Sequence, residues 1–130
     1  MPAPIVATYS VDVVEAAHQA FLDLIDAGTG AGTIKLRDNA DVLLGTITLT
    51  DPAGSVNATT GDLTLTAAGT SSAVASGDCT YGEVCDSDDN VLLSIPATAG
   101  TTPVVGQLVI NSTDIVSGAT ITLVSATVAI

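Results

Sequence analysis

The sequence predicts a mainly β protein: an antiparallel β-sandwich of jelly-roll or immunoglobulin-like type, carrying one short N-terminal α-helix. Three observations point there. From about Ile34 onward apolar residues alternate with small polar ones, as in IKLR, LLGTITLT, GDLTLTA, GQLVINST and TITLVSATV. A period of two marks strands with one buried face. Turn-forming clusters punctuate these runs at Asp51–Gly54, Thr59–Asp62, Asp86–Asn90 and Ser117–Gly118, where Asp, Asn, Pro and Gly each favour a reversal. A helical period occurs once, ahead of Gly28. Strands roughly 8–12 residues apart with no second helix argue against a βαβ fold.

The helix is predicted over residues 10–27. Ser10 is a suitable N-cap, and Asp12 and Glu15 place negative charge in the first turn, where the helix dipole favours it. Val14, Ala17, Phe21, Leu24 and Ile25 recur at three- and four-residue steps and form the apolar stripe, with His18 flanking it as a packed or half-exposed residue. Asp12, Glu15, Gln19, Asp23 and Asp26 fall mainly on the other side. Gly28 ends the helix as the residue past its C-cap, and Gly28–Gly32 forms a flexible exit. Strands are expected near 33–37, 42–50, 55–58, 62–67, 73–86 with a break near Gly77, 91–96, 105–111 and 119–129. The organisation expected is a single domain over residues 1–130, with an arm at 1–9, the helix at 10–27 and the sandwich at 33–130.

A chain of 12.8 kDa buries roughly two-thirds of its extended surface, enough for one core. That core must be built from Val, Leu, Ile and Ala, because Tyr9, Phe21 and Tyr81 are the only aromatics. Aromatic side chains bury the most area each, so such a core is thin and is expected to be supplemented by self-assembly. The uncharged C-terminus SATVAI suggests a last strand, Ala119–Ala129, completed by or packed against a neighbouring chain.

Fourteen acidic residues face only Lys35 and Arg37, for a formal charge of −12. Two cations cannot displace the counterions of a nucleic acid or hold an anionic membrane, so neither is an expected partner. The acid keeps apolar, Thr-rich strands soluble; in its sharper role it repels DNA or docks a basic partner. The start MPAPIVATYSVDVVEAAH has no basic region followed by a continuous apolar one, and no run approaches the roughly 18 apolar residues of a membrane span. The chain is expected to be made in a cytoplasm and to stay there, or to leave only as part of a larger particle.

The chemistry-bearing residues are few. Cys79 and Cys85, six apart, would lie roughly 20 Å apart along one strand, too far for a disulfide, and read as two small buried hydrophobes. A zinc site would need more ligands than His18 supplies. Asp86, Asp88 and Asn90 occupy positions one, three and five of a calcium-loop pattern. Val91 stands where that pattern needs Gly and Ala97 where it needs a bidentate Glu, so a polar hairpin turn is expected. Glu83 beside Tyr81 is expected at an edge or interface, or paired with Lys35 or Arg37. On one strand those two cations share a face, opposite Ile34 and Leu36. No nucleophile, base and orienting group converge. The reading is of no enzyme, with no catalytic, cofactor-binding or metal-ligating residues and no cofactor.

The order of the pieces carries a resemblance. A helix at Val11–Ala27 precedes the strand GTIKLRD, then DVLLGTITLTDPAG. Gly77-Asp78-Cys79-Thr80-Tyr81 leads to Val84-Cys85-Asp86-Ser87-Asp88-Asp89. The close runs from Leu108-Val109-Ile110-Asn111-Ser112 through Ile115, Gly118 and Ile121. Over nearly its whole length the chain resembles a family of small structural proteins encoded among the virion genes of tailed bacteriophages and prophages. It departs from that family's pattern in having Cys79 for a small Ala and Asp89 for a turn Gly. The resemblance implies a virion protein with no catalytic residues to carry over. The function expected is a capsid decoration or minor capsid protein stabilising the head, with the major capsid protein as partner. The alternative is a tail or fibre module contacting the host or other tail proteins. Attachment is expected to rest on strand addition and apolar burial, not on charge.

Overall fold

A computed structural model describes residues 8–129. Most of the expected arm at 1–9 lies outside the described residues. The helix α1 spans Val11–Asp26; the Ser10 side chain caps it by accepting from the Val13 amide, and Gly28 follows the C-cap at φ +100°. The strands are β1 (Thr33–Arg37), β2 (Leu43–Val56), β3 (Leu63–Ala67), β4 (Ser71–Ser72), β5 (Gly77–Asp78), β6 (Tyr81–Cys85), β7 (Val91–Ala99), β8 (Leu108–Ile110), β9 (Asp114–Ile115), β10 (Thr120–Ile121) and β11 (Leu123–Val128).

The expected class, mainly β with one helix, is what the structure has. Its strands do not form two packed sheets, however. They close into one barrel in the order β1-β2-β3-β11-β8-β7-β6, with β6 returning to β1. Closure leaves none of these seven strands as an edge. Every neighbouring pair is antiparallel except β7 and β8, which run parallel with Ala97 beside Leu108 and Ala99 beside Ile110. The connection 100–107 has to retrace only about three residues, some 10 Å, so it needs no crossover helix.

Inside the barrel, β1 supplies Ile34 and Leu36. Ile34 is level with Ile47 and Val84, and Leu36 with Gly45 and Gly82. The two glycines make room for longer neighbours. A side chain at Gly82 would collide with Leu108, and one at Gly45 with Ile121. Small barrels are filled by such pairing of small and large residues around each layer. The helix lies across one end, reaching the Asn57–Gly61 turn through Val14 and His18, Ala53 through Asp26, and the 86–90 turn through Ala27. The short pairs β4–β10 and β5–β9 cover the other end, where Ala73, Ile115 and Ile121 join the same buried cluster.

Three expectations are corrected. DPAG is not a turn. Residues 51–54 continue β2, whose pairing with β3 is irregular between Leu49 and Gly54. Pro52, which has no N–H to donate, falls inside that irregularity, where no ladder bond is required. The Thr50 hydroxyl donates to the Pro52 carbonyl (2.8 Å), and the Ala53 amide donates to Asp26 of the helix (2.8 Å). The apolar stripe of the helix is also rotated. Val14, His18, Leu22 and Ile25 are buried, whereas Ala17 and Leu24 are exposed. Finally, the strand partners of β11 come from its own chain, β8 pairing with Leu123–Ala126 and β3 with Ala126–Val128, so its pairing does not require a neighbouring chain.

Candidate functional site

The two cations and their partners occupy the outer face of β1 and β6. Lys35 and Arg37 point outward while Ile34 and Leu36 are fully buried, which the alternation along IKLR requires. The ladder sets Lys35 opposite Glu83 and Arg37 opposite Tyr81. Arg37 Nε donates to Glu83 Oε1, and Arg37 Nη1 donates to the Asp41 carbonyl at 2.9 Å. The Tyr81 hydroxyl donates to Asp41 Oδ1 at 2.5 Å. Lys35 Nζ lies 3.3 Å from Asp89 Oδ1. Glu83 is therefore the ion-pair partner of Arg37.

This network shifts the groups it holds. Donation to Glu83 raises the Arg37 guanidinium above its ordinary value. Tyr81 is pushed up to about 12, first because its proton is engaged by Asp41. A phenol so held donates a hydrogen bond and does not serve as a base near neutrality.

Two hairpin turns of one design carry the partners. In Asp38–Val42, Asp38 Oδ1 accepts from the Ala40 and Val42 amides, and Asp41 sits at φ +64°. In Asp86–Asn90, Asp86 Oδ1 accepts from the Asp88 and Asn90 amides, and Asp89 sits at φ +64°. Each is a type I turn followed by a left-handed residue, a favoured three-residue hairpin loop. The hydrogen bonds from Asn90 hold Asp86 below the usual carboxylate range. DSDDN is thus a polar turn, as its sequence suggests, with the first aspartate engaged by the backbone. The DNADV turn at Asp38–Val42 has the same chemistry, with Asp at its first and fourth positions as the sequence signal it shares with DSDDN.

The other candidate groups are dispersed. His18 lies in the helix interface, 3% exposed, with Nδ1 2.5 Å from the Gly61 carbonyl and Nε2 without a partner among the described residues. Cys79 precedes β6 and Cys85 ends it; both are free and buried. Burial pushes the Cys79 thiol up to about 11 and raises Cys85 as well. Both thus sit as small buried side chains, as their sequence suggests. Among the described residues no three His, Cys, Asp or Glu side chains gather as a metal site, and no helix is long and apolar enough to cross a membrane.

What the surface does present is aliphatic. Val42, Val74 and Val116 are exposed around the end opposite the helix, Val104, Val105 and Val124 beside the 100–107 connection, and Val13 and Leu24 on the helix. A depression of about 320 Å³ opens between β3, β11 and Pro103, where those two strands diverge. Set against known proteins, the chain matches no family model, no curated protein and no solved structure.

Proposed function

We propose that this chain is a non-enzymatic structural component of a tailed-phage virion, a decoration or minor capsid protein on the head exterior that clamps neighbouring major capsid subunits. The observation that carries the reading is the internal pairing of both cations. Lys35 and Arg37 are held by Asp89 and Glu83 of the same chain, so the surface offers other molecules acids and exposed aliphatic side chains. Such a body does not condense on packaged DNA, and it has apolar area with which to bind protein. The resemblance over the helix, the IKLR strand and the closing strands supports the same reading. Attachment rests on packing of aliphatic side chains and on strand addition, for which the two-stranded pairs β4–β10 and β5–β9 outside the closed barrel keep free edges. Assembly into oligomers and release from the host only within the particle belong to this proposal.

Imaging intact particles tests it. A lattice of identical copies over the head supports the reading. Three- or six-fold rings of the protein on the tail would replace it with the tail-module alternative.

A further inference from the structure

The outward face of α1 is built like a helix–helix seam that has no occupant among the described residues. Val13, Ala17, Ala20 and Leu24 follow one another at intervals of four, three and four residues, and all are exposed; Val13 is 49% and Leu24 57% accessible. This is the spacing of a seam between packed helices. It is separate from the buried stripe of Val14, His18, Leu22 and Ile25, which already holds α1 to the barrel. The two central alanines allow a second helix to approach closely, near the lower end of the roughly 8–10 Å interaxial range.

Charge selects the occupant. At about 100° per residue, Asp12 and Asp23 stand on one flank of the exposed row with Gln19 beyond them, while Glu15 and Asp26 turn back toward the barrel, where Asp26 accepts from the Ala53 amide. A depression of about 370 Å³ lined by Asp12, Glu15, Ala16 and Gln19 runs along that flank. Lys35 and Arg37 are engaged by Asp89 and Glu83, so neither neutralises this row. A second copy would bring the same acids to the contact. In an antiparallel pair like flanks meet, setting Asp12 of one copy toward Asp23 of the other, between bodies that each carry −12. We propose that this face docks a helix of another protein, one whose apolar row is flanked by Lys or Arg. The inference rests on the helix alone and not on the virion reading.

The test uses the full chain and a synthetic amphipathic helix of about 18 residues, long enough to hold helical structure on binding. Its Leu and Ala residues follow the same spacing, with Lys on both flanks; a twin peptide carries Glu in place of Lys. Binding is followed by fluorescence anisotropy at roughly 0.15 M salt, where the screening length is about 8 Å. The lysine peptide is expected to bind and the glutamate twin not to. Val13→Glu and Leu24→Glu should each weaken binding by about tenfold or more, the loss typical of a central contact residue. Asp23→Asn should reduce the salt dependence, and Thr102→Glu in the 100–107 connection should change nothing. Circular dichroism and melting of each variant confirm that these surface changes leave the fold intact. Absence of binding by the lysine peptide, equal binding of both peptides, or binding indifferent to Leu24→Glu would overturn the proposal. A concentration-dependent dimer in sedimentation that Leu24→Glu disperses would overturn it too, by assigning the face to a second copy.

Discussion

Asp41 and Asp89 both occupy left-handed backbone that glycine adopts at least cost, yet both are aspartate. Their side chains supply the reason, since Asp41 holds Tyr81 and Asp89 holds Lys35. The two bonds differ in setting, and substitution should separate them. The Lys35–Asp89 pair is open to solvent, with the carboxylate 67% exposed, so it contributes at most about 0.5 kcal/mol. Relief of the left-handed backbone is worth about 1 kcal/mol. Asp89→Gly should therefore raise the melting temperature by a few degrees. Asp41→Gly gains the same relief but frees Tyr81 and alters the loop whose carbonyl holds Arg37, so it should give no increase. Melting curves at neutral pH decide both. A second expectation concerns alkali. Cys79, ordinarily near 9.0, is raised to about 11, and Tyr81, ordinarily near 10.0, to about 12. Both are neutral when protonated, and folding favours that protonated form. The stability they contribute is complete below pH 9 and is lost as pH rises toward 11 and 12. A melting temperature that declines over this window, with a shallower decline in Cys79→Ala, is the expected result.

At the scale of elements, the helix shows how an apolar count can mislead about direction. It carries two apolar rows, and the barrel end accepts only the one that contains Leu22. Leu22→Ala should cost about 2–4 kcal/mol, because it empties a buried site. Leu24→Ala should stay within about 0.5 kcal/mol, as surface changes usually do. Similar losses from the two in chemical denaturation would contradict the orientation of the helix described above. The last strand has a similar lesson. The sequence suggests that its apolar C-terminus awaits another chain, but β3 and β8 already flank it. Deleting residues 124–130 should therefore unfold the barrel, and not merely disperse an assembly. Loss of strand signal by circular dichroism in the truncated protein, at concentrations where the parent is folded, is the measurement.

For the whole molecule, the distribution of charge sets how it adheres to other bodies. Both cations are neutralised within the chain, and their outer face forms a self-contained patch. Raising salt from about 0.05 to 1 M shortens the screening length from above 10 Å to about 3 Å. Contacts made by Val, Leu and Ala side chains do not depend on that length. The protein should thus remain on purified particles through a 1 M salt wash at neutral pH, with sedimentation of the particles as the assay. Release by salt alone would show that ion pairs hold it.

Much of this architecture is legible from residues close together in the chain. The period-two runs place β1 and β3 within a residue or so, because alternation reports directly which side chains a pleated backbone sends to each face. Ser10 and Gly28 mark the helix ends, and DSDDN marks a turn, because capping and turn bonds span only a few residues. The joint outer face of Lys35 and Arg37 follows from their spacing alone. Closure into a barrel does not, since it depends on β6 returning to β1 and on β11 lying between β3 and β8, pairings between distant segments. The continuation of β2 through Asp51–Gly54 is hidden for the same reason: the helix carboxylate of Asp26 holds the Ala53 amide, and β3 resumes pairing at Gly54. The two apolar rows of α1 are equally visible in the sequence. Which of them is buried was decided only in the tertiary structure, where the Asn57–Gly61 turn and the start of β1 offer a surface that fits Val14, His18 and Ile25 and leaves Val13 and Leu24 to solvent.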